Sequence, residues 1–111
     1  MTEVALRLFG TGIRTRVLLA IALLEQTYPR QVARILNASL LSTQRIINDL
    51  ERQGVVASRV IGAQREVRLN PVFFGYNELL ALLLRLALAD RPLLDEVELL
   101  RRRPRRAGKA L

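Results

Sequence analysis

Residues 39 to 56, SLLSTQRIINDLERQGVV, constrain this chain more than any other stretch. Thr43, Ile46, Ile47 and Leu50 recur at i, i+3, i+4 and i+7, which predicts a helix with one apolar stripe turned to a core. Ser39 suits its N-cap, because a hydroxyl there can accept from a free N–H of the first turn. Gly54 closes it, and Val55-Val56 opens an alternating run with no linker between. The helix therefore leads straight into a strand and leaves Leu41, Gln44, Arg45, Asn48 and Arg52 facing outward.

Alternation over residues 55–60 and 65–69, around an Ile61-Gly62-Ala63-Gln64 turn, predicts a β-hairpin. Val56, Ser58, Val60, Val67 and Leu69 would form its inner face, with Arg59 and Arg68 outside. Upstream, Pro29 can start a helix but not continue one, so a short helix is expected from Pro29 to Leu36 with Val32, Ala33 and Leu36 inward and an Asn37-Ala38 turn after it. An earlier helix is expected from about Arg14 to Gln26, with Val17, Ala20, Ile21 and Leu24 on one face and Arg14 and Arg16 at an exposed start. Residues 2–9 read as a weak helix or arm, set off by Gly10 and Gly12.

Beyond Asn70-Pro71, residues 72–89 carry leucine on every side of a helix, which implies burial on more than one side. Asp90 and Pro92 start a last helix striped by Leu93, Leu94, Val97 and Leu100. Asp95, Glu96 and Glu98 early in that helix suit the helix dipole and do not call for a catalytic or metal role. The ending RRRPRRAGKAL has nothing to bury and reads as a basic, flexible tail.

At 111 residues the chain is one domain in size. It has no cysteine and no histidine, which removes disulfides, thiol chemistry, imidazole bases and the usual zinc or copper ligands. No cofactor, no metal and no catalytic residue are expected, and the chain does not read as an enzyme. The net charge of +8 is uneven: residues 30–68 hold seven arginines against three carboxylates, and residues 101–111 hold six cations and no acid. Such a split favours a polyanionic partner, nucleic acid before an anionic membrane surface. The apolar run over residues 17–24 lacks a small-residue cleavage site, and that over residues 79–89 is too short for a membrane span, so a soluble cytoplasmic protein is expected.

The order helix, helix, turn, helix, hairpin, helix is carried by VARILNASLLSTQRIINDLERQGVV, the hairpin and the RLNP after it. In this pattern the chain resembles the ArsR-type winged helix-turn-helix transcriptional regulators, over about residues 13–75. The resemblance implies a mainly α fold with a small β-hairpin (α+β), a winged helix-turn-helix over residues 13–71, and C-terminal helices over residues 72–100 for dimerisation, flanked by an arm (1–12) and the tail (101–111). It implies a homodimeric repressor on double-stranded DNA, probing the major groove with the third helix and the backbone with the wing. Gln44, Arg45 and Asn48 would then read bases, since arginine can grip guanine and asparagine or glutamine adenine. Ser42, Arg52, Arg59, Arg65 and Arg68 would contact phosphates.

Metal-sensing members bind through cysteine, histidine or acidic sets, and YPRQVARIL offers none, so no metal sensing is expected. Leu79, Leu80, Leu82, Leu83, Leu84 and Leu86 are the expected dimerisation residues. Other readings stay open at several places. Arginines on the hairpin can also guard a strand edge, and the tail can clamp phosphates or be a solvated charge run. Leu40 and Leu41 stand where polar side chains are more usual, and they fit thymine methyls or a protein surface. LRLFGTGIRTRVLLAIALL and the helix after RLNP also look like winged-helix modules linked to small nucleotidyltransferase domains, whose glycine-serine motif is absent. A regulatory interaction module without sequence-specific DNA binding is therefore the alternative.

Overall fold

The computed structural model describes residues 7–102. Its elements are α1 (Gly12–Leu24), α2 (Pro29–Leu36), α3 (Leu40–Arg52), β1 (Val56–Ile61), β2 (Gln64–Leu69), α4 (Tyr76–Ala87) and α5 (Arg91–Arg102). The expected order holds. Residues 1–6 of the arm and 103–111 of the basic tail lie outside the described residues.

α1 is the axis. Thr11 caps it, its hydroxyl oxygen accepting from the Arg14 N–H at 3.1 Å. Val17, Leu18, Leu19, Ala20, Ile21 and Ala22 are all buried, so this helix is apolar right round rather than on one face. It is enclosed because α2, α3 and β2 pack on it along with α4 and α5. The expectation that Arg14 and Arg16 lie at an exposed start is also corrected: both are only partly exposed, and each reaches a carboxylate of a distant element, Asp49 and Asp90 respectively. The helix ends in a tight turn at Glu25 (φ 68°, ψ −57°), where the Gln26 N–H donates to the Leu24 carbonyl at 2.7 Å.

α2 starts at Pro29 and stops at Asn37 in the left-handed conformation (φ 54°, ψ 45°), with the Ala38 N–H donating to the Ala33 carbonyl at 2.9 Å. Three residues later α3 begins, its Ser39 cap accepting from the Ser42 N–H at 3.0 Å. Thr43, Ile47 and Leu50 are buried and Ile46 half-buried, as the stripe requires. Gly54 has φ +82°, and a Cβ there would meet no atom within 4 Å. Backbone conformation alone therefore selects glycine.

The hairpin is a two-stranded antiparallel sheet in the register Val56↔Leu69, Ser58↔Val67, Val60↔Arg65, closed by Gly62-Ala63 with Gly62 at φ 63°. Its base is pinned by an isolated bridge in which Thr27 and Val67 exchange N–H···O bonds of 3.0 and 2.7 Å. Val56, Val67 and Leu69 face the core. Val60 does not, at 77% exposed, because the outer half of the hairpin projects past the body and has nothing to cover it.

Asn70 splices the hairpin to the C-terminal segment. Its side-chain amide donates to the Gly54 carbonyl at 2.9 Å and its Oδ1 accepts from the Val72 N–H at 3.0 Å. Successive turns then occupy residues 71–75, so α4 starts at Tyr76 and not at Val72. In the leucine-rich helix only Leu83 and Ala87 are fully buried, while Leu82, Leu84 and Leu88 remain exposed. Asp90, only 7% exposed, opens α5 by accepting from the Leu93 N–H at 3.3 Å. Leu93 and Val97 of α5 join Leu83 and Ala87 of α4 in the cluster that also holds Ile47, Leu50 and Val67. Among the described residues no helix is long and apolar enough to cross a membrane.

Candidate nucleic-acid interface

Helical geometry sorts the surface of α3 into a stripe and two flanks. Leu41, Arg45, Asn48 and Arg52 are exposed and succeed one another at i, i+4, i+7 and i+11, so they form the outermost stripe. Gln44 is half-buried on one flank, less outward than its expected place beside Arg45 and Asn48. Ser42 is exposed in the first turn.

Each flank carries a carboxylate that ties α3 to another element. On one side Asp49 Oδ2 accepts from Arg14 Nη1 of α1 at 2.7 Å, and its Oδ1 from Arg52 Nη2 at 3.1 Å. Gln53 closes the cluster, receiving a bond from Arg14 Nη2 at 3.2 Å and donating one to Asp49 at 3.1 Å. The hydrogen bonds from Arg14 and then Arg52 hold the Asp49 carboxyl below its ordinary value. On the other side Glu51 accepts from the Ser58 hydroxyl of β1 at 2.8 Å and from Arg65 of β2. α3 is thus braced to α1 through Asp49 and to the hairpin through Glu51.

These braces redistribute the arginines expected at phosphates. Arg65 belongs to the hairpin face that holds Val67 and Leu69, which is why it meets Glu51 and not the outside. Its position was legible in the two-residue period, although no local pattern pointed to Glu51 as its partner. Arg59 is outward, and its Nε bonds Glu66 directly across the ladder at 3.0 Å. Arg52 shares Asp49 with Arg14. Arg68 is exposed and lines an open cleft of about 850 Å³ beside Leu24, Tyr76 and Leu84, toward α4. Arg45 and Asn48 stand together on α3, and among the described residues Arg68 is the hairpin arginine without a carboxylate partner.

The Glu51 brace should be sensitive to acid. The Ser58 hydroxyl first, and then Arg65, hold its carboxyl below the ordinary 4.5. A depressed folded-state value means that the contribution is complete above 4.5 and disappears as pH falls through the folded value. Urea denaturation of wild type and Glu51→Gln across pH should therefore give a stability gap at neutral pH that closes in the acid range. A gap that persists below the folded value would remove the carboxylate from this role.

No protein-family model matches the chain, and no curated protein is significantly similar to it. Solved structures are similar. A MarR family transcriptional regulator from Silicibacter pomeroyi DSS-3 matches with a TM-score of 0.59 at 19% identity, over 86% of this chain and 65% of that one. A cysteine-to-serine variant of MarR from E. coli matches with a TM-score of 0.61 at 21% identity, over 89% of this chain and 78% of that one. The same variant complexed with operator DNA matches with a TM-score of 0.59 at 21% identity, over 89% and 76%. The fold is a winged helix.

In that winged helix α2 and α3 form the helix-turn-helix, and β1 and β2 form the wing. The similar structures are MarR regulators, a different winged-helix family from the ArsR type that the sequence resembles, so the correspondence holds at the level of the winged helix alone. The reason lies in the residues that carried the resemblance. The turn at Asn37, the cap at Ser39 and the glycine at 54 are what any tight helix-turn-helix leading into a hairpin needs, and they do not separate one such family from another. The chain spans 65% of the length of the Silicibacter regulator.

Proposed function

We propose that this winged helix is a sequence-specific double-stranded DNA-binding transcriptional regulator of the cytoplasm. α3 enters the major groove and the wing lies along the adjacent backbone. The observation that carries this reading is the exposed stripe of α3, where Arg45 and Asn48 stand side by side on a helix braced at both flanks. Rigid presentation matters because base readout needs donors and acceptors held in one geometry. The similar MarR structure complexed with operator DNA lends the reading further support. Arg45 and Asn48 are the principal base-reading candidates, with Gln44 at their flank. Ser42, Arg52, Arg59 and Arg68 are candidates for phosphate, with Arg52 and Arg59 each sharing a carboxylate and Arg68 on the hairpin, and Arg65 acts first as a wing brace.

Anisotropy titration against duplex fragments selected from the source genome tests this. A selected duplex bound at least about a thousandfold tighter than random duplex supports specific regulation. Weak, salt-sensitive and sequence-blind association would sink it and favour the interaction-module reading, for which the relevant observation is Leu41, 59% exposed at the start of α3.

The regulator is proposed to act as a homodimer through the leucine-rich helix. Leu83 is consumed by the chain's own core and leaves the expected set, and Leu79, Leu80 and Leu86 are half-buried. Leu82 and Leu84 on α4, Leu88 just after it and Leu99 on α5 are left exposed, and clustered apolar surface of this kind marks an interaction site. Light scattering at micromolar concentration should give twice the 12.6 kDa chain mass, and Leu82→Glu with Leu84→Glu should shift it to the monomer. A wild type that scatters as a monomer would remove this role from α4.

A further inference from the structure

α2 carries a pair of like charges that the helix itself only partly accommodates. Arg30 is its second residue, where the positive end of the helix dipole disfavours a cation. Arg34 comes four residues later, in the last turn where the dipole favours a cation, but it sets a second like charge on the face that carries Arg30. The helix, PRQVARIL, contains no carboxylate to offset either. Both arginines are exposed, and neither takes part in an ion pair or side-chain hydrogen bond among the described residues. By contrast, Arg14, Arg16, Arg52, Arg59 and Arg65 each meet an aspartate or a glutamate.

Where a sequence breaks local rules without a compensating contact, a ligand is the natural source of compensation. We propose that Arg30 and Arg34 form a phosphate-binding pair that grips the backbone of duplex DNA beside the groove that α3 enters, an inference that rests on the DNA-binding reading above. Residues four apart on a helix stand about 6 Å apart at Cβ, and two forked guanidinium groups at that spacing can each take a phosphate. A guanidinium held by a carboxylate must first give up that bond, whereas Arg30 and Arg34 displace only solvent and counterions. Their position relative to the reading face is fixed, because only residues 37–39 separate α2 from α3. The large apolar side chains of α2 (Val32, Ile35 and Leu36) are buried, so the helix has nothing to insert into a lipid surface.

The test is the salt dependence of duplex binding by the full chain. Arg30→Gln with Arg34→Gln should lower the slope of log K against log salt by about 1.8 per protomer, 0.9 for each phosphate lost, with a thermal midpoint close to that of wild type. The double lysine variant, Arg30→Lys with Arg34→Lys, should keep the slope. Arg91→Gln, which removes an exposed arginine from the start of α5, should leave it unaltered. If wild type binds duplex and the glutamine pair keeps its full slope, the phosphate pair is overturned while the DNA reading stands. An equal fall for Arg91→Gln would reduce the effect to net charge and overturn it as well. Wild type that binds anionic vesicles but no duplex would overturn both.

Discussion

Asp90→Ala is expected to destabilise the protein by about 2–4 kcal/mol, an effect on the order of 10 °C in thermal midpoint for a domain of this size. Asp90 does two things from one buried position. Its Oδ1 accepts from the Leu93 N–H and so caps α5, and its carboxylate receives Arg16 of α1, with Nε to Oδ2 at 2.8 Å and Nη2 to Oδ1 at 3.4 Å. Loss of an N-cap costs about 1 kcal/mol. Loss of the partner leaves Arg16 partly desolvated and unpaired, which is worse than never having the pair; since its side chain keeps 27% exposure, water relieves part of that penalty. Asp90→Asn separates the two contributions, because the amide oxygen can still cap while the charge is gone. It should lie between wild type and alanine in urea denaturation. An alanine variant within about 0.5 kcal/mol of wild type, the range of an ordinary surface substitution, would show that α5 docks through Leu93 and Val97 alone.

Arg45→Ala has the largest expected effect on binding, on the basis of the proposed DNA contact. It is exposed, it has no carboxylate partner among the described residues, and it stands in the middle of the α3 stripe. Specific binding should weaken by about 1–3 kcal/mol, or roughly tenfold to a hundredfold, with preference relaxed at one base position. Arg59→Ala should behave differently, because its bond to Glu66 already neutralises part of its charge. It should weaken specific and random duplex alike and by a smaller factor. Competition titrations with single-base operator variants measure both. Equal loss on selected and random duplex for Arg45→Ala would assign Arg45 to the backbone and leave Asn48 and Gln44 as the base-reading candidates.

Much of this architecture is written in local pattern. The stripe of Thr43, Ile47 and Leu50, the cap at Ser39, the left-handed residue at Asn37 and the glycine at 54 each come from a rule that acts over a few residues, and together they fix the order and the ends of α2, α3 and β1. The same rules place Arg45 and Asn48 on the outward side of α3, and the two-residue period already puts Arg65 on the inner face of the hairpin.

What local pattern cannot hold is the identity of partners brought together from far along the chain. Arg14 and Asp49 are 35 residues apart, and Arg16 and Asp90 are 74 apart. Only the packing of α3 and α5 on α1 decided that two arginines expected at an open helix start would become braces. Packing likewise buried α1 on every side, sent Leu83 inward while Leu82 and Leu84 stayed out, and left Val60 with no core to face. By itself the sequence determined the order of the elements, the apolar stripe of α3 and the caps that separate α2, α3 and β1, since periodicity and caps are local. Tertiary structure decided which arginines are neutralised and which remain free for a phosphate, since the distance between two charges depends on how the whole chain folds.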